Sequence, residues 1–228
     1  MLSNTFPVEE EIMFYTTDKY DHGLPYDPLK AIVAPRPIGW ITSISARGEV
    51  NLAPYSYFNA VSTRPPIVCF SSEGRKDSVA LVEETGEFVC NLATWDLRDA
   101  MNVTSAPFAL GVDEMHQAGL TPAPSRLIKS PRVAEAPCAL ECRWLHTLTL
   151  RDLDGRPLDR HVAFGQVVGV HIDDRFIANG KLDTAAMKPI ARCGYDQYAV
   201  VEQVFAMTRP EVADAPTPRV AAGGRRAG

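Results

Sequence analysis

Apolar and polar positions alternate most clearly in two long stretches in the second half of the chain. From Cys138 the apolar phase runs through Leu140, Cys142 and Trp144 and resumes at Leu148 and Leu150, with Glu141, Arg143, Thr147 and Thr149 opposite. From Val162 the residues Phe164, Val168, Val170 and Ile172 keep one phase. A period of two predicts strands with one buried face. Residues 153–160, rich in Asp and Gly, read as a long hairpin loop between them. His146 shares the phase of Trp144 and Leu148, which predicts a core imidazole.

Shorter apolar runs predict further strands at residues 38–45, 67–71, 88–92 and 198–206. Residues 50–57 form the return arm of a hairpin that turns at 46–49. Pro35, Pro37, Pro65 and Pro66 punctuate these runs and hold the chain extended. A helix is expected over residues 78–85, with Asp77 as its cap and Gly86 as its stop. Shorter helices are expected over residues 97–104, 113–119 and 183–191. Many strands with few helices give a mainly β (α+β) chain, a closed or partly open antiparallel barrel with peripheral helices.

The ends differ from this middle. Residues 1–29 scatter aromatic side chains among charges and read as an arm that packs on the main domain, residues 30–208. Residues 209–228 carry Ala, Pro, Gly and four arginines, cannot bury a core, and are expected to be a disordered tail.

Composition narrows the function. The 228 residues are 46% hydrophobic and 22% charged, with a net charge of −5, ordinary values for a globular protein. An acidic chain without a basic stripe argues against nucleic acid as the main ligand. No apolar run reaches the roughly 18 residues of a membrane span. The N-terminal residues lack the pattern of a signal peptide, so a cytoplasmic location is expected. The five cysteines form no C-x-x-C pair, and their odd number suits a reducing compartment. Cys138 and Cys142, four apart, read as small apolar side chains on a strand; no metal site is expected.

The fingerprints of Rossmann, P-loop, zinc-protease and α/β-hydrolase sites do not occur. Two segments remain. Ser71-Ser72-Glu73-Gly74-Arg75-Lys76-Asp77-Ser78 follows a buried strand and opens a helix. Its hydroxyls, cations and free N–H groups suit a phosphate, and a solvated turn fits the same residues. Asn51-Leu52-Ala53-Pro54-Tyr55-Ser56-Tyr57-Phe58-Asn59 alternates amides, hydroxyls and aromatic faces. Such a strand suits a flat heteroaromatic ligand or interior packing alike.

Pro35-Arg36-Pro37-Ile38-Gly39-Trp40-Ile41-Thr42-Ser43, Asn51-Leu52-Ala53-Pro54-Tyr55-Ser56, Pro65-Pro66, Arg75-Lys76-Asp77-Ser78, Gly86-Glu87-Phe88-Val89-Cys90-Asn91 and His161-Val162-Ala163-Phe164-Gly165-Gln166-Val167 occur in this order. Together they resemble the flavin reductase-like family of FMN-binding split barrels, including flavoredoxins, over residues 29–205. The resemblance implies a homodimeric Greek-key split barrel with FMN at or near the subunit interface. By the same resemblance, Trp40, Thr42 and Ser43 would edge the flavin ring, and Ser56, Tyr57, Phe58 and Asn59 would line the ring and ribityl chain. Ser72, Arg75, Lys76 and Ser78 would hold the phosphate, and Tyr195 would cover the ring. His161 matches a family histidine near flavin and nicotinamide, or is a structural histidine. The implied activity is reduction of FMN by NADH or NADPH, with a monooxygenase or redox protein as a further partner. A flavoredoxin-like electron carrier and a non-catalytic FMN-binding module are the alternatives.

Overall fold

The computed structural model describes residues 12–109 and 111–210. Most of the expected tail, and the start of the arm, lie outside the described residues. The strands that matter for the site are β1 (Arg36–Pro37), β2 (Gly39–Ile44), β3 (Val50–Tyr55), β4 (Phe58–Thr63), β5 (Pro66–Glu73), β6 (Glu87–Leu92), β7 (Cys138–Arg151), β8 (Pro157–Ile172), β9 (Ile190–Arg192) and β10 (Tyr198–Val200). The helices α1 (Asp77–Thr85), α2 (Arg98–Val103) and α3 (Glu114–Gln117) lie between them.

One seven-stranded antiparallel sheet carries the fold, in the order β3-β2-β6-β7-β8-β5-β4. Strand β3 lies at one edge and β4 at the other, yet only Ser56 and Tyr57 separate them in sequence. The sheet therefore has to curl until its edges meet, and no ladder joins them: the barrel is split along this seam. A second sheet, β1-β9-β10, extends the chain that enters β2.

Alternation explains the two cores. Successive residues of β2 point to opposite faces, and both faces are buried. Ile41 joins Val68, Phe70, Phe88, Cys142 and Ala163 inside the barrel, where Val79 and Val82 of α1 plug the end. Trp40 points the other way, into a cluster with Leu52, Met101, Met115 and Val133. A Cβ on Gly165 would fall 2.3 Å from Phe88 Cζ, so only glycine lets that ring close the interior. The outward face of the β7–β8 hairpin keeps large apolar side chains exposed, among them Leu145, Leu148 and Val170.

Several expectations need correction. Strand β4 was not anticipated: it is a mostly exposed edge strand with a bulge after Ala60, so it has no alternating pattern to read. The β7–β8 loop is shorter than residues 153–160, because Asp152 Oδ1 accepts from the N–H of Asp154 (3.0 Å) and of Arg156 (2.9 Å) and β8 resumes at Pro157. The helix expected over 183–191 covers only Thr184–Met187 and ends at Lys188 in a left-handed conformation. The last strand stops at Val200. Asp77 does not cap α1; Lys76 holds the cap position and no side chain closes the first turn.

His146 is not a core residue. Register shifts along β7–β8 leave it exposed, stacked on Phe164 with ring centroids 4.7 Å apart. Glu141, expected on the polar face, is instead fully buried. Its carboxylate accepts from the N–H groups of Arg126 and Leu127 (both 2.7 Å) and contacts His171 Nε2 at 2.5 Å. Burial opposes its ionisation, but these donors outweigh it and hold the carboxyl below its usual range. A depressed carboxylate stabilises the fold above the ordinary value of 4.5 and loses that contribution as pH falls through the folded value. Glu141→Gln is expected to cost about 1–3 kcal/mol at pH 7, the scale of a compromised buried charged hydrogen-bond set. The gap from wild type should narrow below pH 4.5, as read by urea midpoints at pH 7 and in acid.

Candidate functional site

A groove follows the split of the barrel, and its lining residues overlap along three sections. The first, of about 380 Å³, runs beside Asn51, Pro54 and Tyr55 of β3 to the start of α1, where Lys76, Asp77 and Ser78 face the loop that carries Ser105. The second, of about 250 Å³, shares Pro54 and Ser105 and adds Arg36, Ser56, Tyr57 and Tyr195. The third, of about 610 Å³, shares Arg36, Ser56 and Tyr57 and extends over Phe58, Asn59 and Val162.

The first section brings together donors that suit an anion, with Asp77 and Glu114 beside them. The opening turn of α1 has no side-chain cap, so its N–H groups and positive dipole end remain available. Lys76 is exposed beside them. The Ser78 hydroxyl is buried and fixed by Asn51 Nδ2, which donates to it at 2.8 Å. Burial pushes the Tyr55 phenol up, with the nearby Ser78 and Ser72 hydroxyls partly offsetting it, so it stays protonated near neutral pH. Glu114 also faces this section. Its carboxylate accepts from Leu52 N–H at 3.0 Å, and burial pushes the carboxyl above its usual range.

The second section has a fixed cation and aromatic walls. Arg36 is buried; its guanidinium donates to Lys30 O (2.6 Å), Cys193 O (2.8 Å) and Val33 O, and sits 5.7 Å from the Tyr57 ring centre. Arg36 Nε is buried without a partner. Tyr195 adopts φ +58°, an uncommon conformation for a non-glycine residue. Tyr26 of the N-terminal arm packs edge-on against it at 5.7 Å. Phe58, on the third section, is seated against Gly39, where a Cβ would come within 2.5 Å of the ring.

Seven sequence-predicted residues thus meet along the groove: Ser56, Tyr57, Phe58, Asn59, Lys76, Ser78 and Tyr195. The others do not. Trp40, Thr42 and Ser43 are fully buried. Trp40 Nε1 donates to Thr104 Oγ1 at 2.9 Å, and Thr42 Oγ1 accepts from Asn91 Nδ2 at 2.8 Å, so these side chains serve the core. Arg75 turns to an ion pair with Glu83. Ser72 is buried behind Tyr55, its hydroxyl without a hydrogen bond of good geometry. His161 pairs with Ser72 across β5–β8, 3.3 Å from Thr149 Oγ1 and 3.4 Å from Asp159 Oδ1. Sequence reasoning missed Arg36 and Arg192 as site residues; their signal, an arginine between two prolines and one three residues before Tyr195, marks them only once the fold joins them.

The flavin reductase like domain matches residues 33–184. The chain belongs to the flavin reductase-like family. An uncharacterised protein of Aquifex aeolicus is 33% identical over 192 residues, 82% of this chain and 94% of that one. The crystal structure of nitrilotriacetate monooxygenase component B from Bacillus cereus is similar with a TM-score of 0.76 and 31% identity, over 91% of this chain and 98% of that one. A split-barrel domain protein of Shewanella frigidimarina shares the fold, with a TM-score of 0.72 and 19% identity over 80% of this chain and 90% of its own. Within this flavin reductase-like chain, the donor set at the start of α1 fits a phosphomonoester such as that of FMN: an uncapped helix end, a lysine and a fixed hydroxyl. Lys76→Ala is expected to weaken FMN binding about tenfold, the scale of one charge-assisted hydrogen bond. Arg75→Ala, already paired with Glu83, should change it far less in the same flavin-fluorescence titration.

Proposed function

We propose that the protein is an FMN-dependent oxidoreductase, a flavin reductase that uses NADH or NADPH. The observation that carries this reading is the groove itself, which joins an anion-receiving end to aromatic and hydroxyl walls along the barrel split. FMN, when bound, supplies the hydride-accepting ring; the chain supplies binding, orientation and a dry face.

Lys76, Ser78 and the first N–H groups of α1 hold the phosphate. Ser56 and Asn59 offer hydrogen-bonding edges, while Tyr57, Phe58 and Tyr195 supply flat apolar surface that excludes water. Arg36, buried in the wall of the middle section, adds a fixed positive charge beneath it. His161, opposite Ser72 across β5–β8 with its ring nitrogens beside Thr149 and Asp159, is the group assigned to orient the nicotinamide or move a proton. A second copy of the chain would cover the exposed leucines of the β7–β8 hairpin and the open third section, which supports a homodimer. Similarity to a monooxygenase component supports an oxygenase, or another redox protein, as the taker of reduced flavin.

The test is the visible spectrum of the FMN-loaded protein without oxygen, before and after NADH or NADPH. Rapid bleaching of the oxidised-flavin bands is expected. A spectrum that stays yellow with both donors overturns the reductase reading and leaves an electron carrier or binding module. His161→Ala should slow bleaching without releasing FMN; an unchanged rate removes His161 from the reaction.

A further inference from the structure

Beside the second section of the groove lies a separate cavity of about 430 Å³, which no expectation from sequence had singled out. Its volume falls within the range of roughly 300–1,000 Å³ typical of small-molecule sites. Two arginine–aromatic stacks line it. The Arg98 guanidinium lies 4.1 Å from the Trp95 ring centre, and that of Arg192 lies 4.6 Å from Tyr198. Hydrogen bonds fix both cations: Arg98 Nη1 donates to Trp95 O at 2.7 Å, while Arg192 Nη1 donates to Tyr198 Oη at 2.6 Å and its Nη2 to Tyr195 O.

A guanidinium beside an aromatic ring keeps an outer face for a ligand, and Arg98, with one bonded terminal nitrogen, also keeps an N–H edge. Such a platform stacks a planar base and pairs with a phosphate at once. Ile190 and Val200 add apolar wall. Asp99 is at the rim, 3.4 Å from Arg98 and largely exposed, and can accept from a sugar hydroxyl. Asp196 also lines the cavity, so two carboxylates balance the two arginines. Stacking surface, cations and carboxylates together describe an adenosine phosphate better than a simple aromatic anion, which has no use for the carboxylates.

The cavity shares Asn102, Arg192 and Tyr198 with the second section of the groove. One extended ligand can therefore occupy both. We infer that this cavity binds the adenosine-phosphate half of the nicotinamide co-substrate, leaving the reactive half to reach the groove. The inference rests on the reductase reading for its physiological ligand, but its binding test does not require turnover.

The experiment titrates AMP and adenosine 2′,5′-bisphosphate into the FMN-loaded protein by calorimetry, for wild type, Arg98→Gln and Trp95→Leu. Trp95 is 43% exposed, so its replacement leaves the core intact should the arginine variant fail to fold. Each variant is expected to weaken fragment binding about tenfold, the loss of one charged or stacked contact. It should also raise KM for NADH or NADPH to a similar extent, with kcat and FMN affinity unchanged. Reduction by nicotinamide mononucleotide in its reduced form, which lacks the adenosine half, should be indifferent to both substitutions. Tighter binding of the bisphosphate would assign Arg98 to a 2′-phosphate, and tighter binding of AMP would assign Asp99 to the free hydroxyl; either supports the site. Fragments that fail to bind at millimolar concentration, or that bind all three proteins equally, overturn it. Fragment binding that depends on Arg98 and Trp95 without bleaching by either donor keeps the site and overturns the reductase reading instead.

Discussion

Two residues, Ser56 and Tyr57, carry the chain from one edge of the seven-stranded sheet to the other. Three Cα steps span at most about 11 Å, so the edges cannot drift apart whatever the rest of the sheet does. Right-handed twist would curl the sheet in any case; this link fixes how far. Because the edges approach without pairing, the seam stays open, and the residues that bridge it become the middle of the groove. Closure of the fold and placement of the site are thus one constraint.

The interior is filled to match. Tyr55, at the end of β3, packs on Phe70 with ring centres 4.9 Å apart, and Phe70 meets Phe88 edge-on at 5.5 Å. Phe88 in turn rests on the bare backbone of Gly165. Each ring pair adds about 0.5–1.5 kcal/mol beyond its buried area. This column runs from the β7–β8 hairpin to the Tyr55 phenol, beside Ser72 and Ser78. A change at Gly165 would therefore move the wall of the anion-receiving end as well as loosen the core.

Much of this was legible in the sequence for definite reasons. Strands β2, β5, β6, β7 and β8 announce themselves because burial imposes a period or a continuous apolar run. Helix α1 was legible through its stop at Gly86, although its start was misjudged: Asp77 sits inside the first turn, and the missing cap is what leaves the N–H groups available. Edge strand β4 was hidden because exposure on its faces removes the periodic signal. Glu141 was misread because alternation assumes that a carboxylate faces water, whereas two backbone N–H groups and His171 replace water here. The site divided along similar lines. The mixed hydroxyl and aromatic character of the seam residues left site and interior packing equally open, and only the family resemblance singled them out. Trp40, Thr42 and Ser43 look alike in sequence, but β2 is buried on both faces, so their polar atoms bond within the core.

The chain carries a net charge of −5, so its distant field repels the anionic ligands proposed for it, and attraction has to be local. The cations along the groove differ in how they are held. Lys76 is exposed and screened by salt, whereas Arg36 is buried and bonded to three carbonyl groups. Those carbonyls belong to the segment before β1 and to the turn after β9, so Arg36 ties that segment and the Tyr195 turn to the seam. Gly194 packs against Ala31 at the same junction, where a Cβ would come within 2.5 Å. A guanidinium that serves three carbonyl groups at once cannot be replaced by lysine, whose single ammonium lacks the planar fork. The positive charge behind the middle of the groove is therefore part of the framework, set before any ligand arrives.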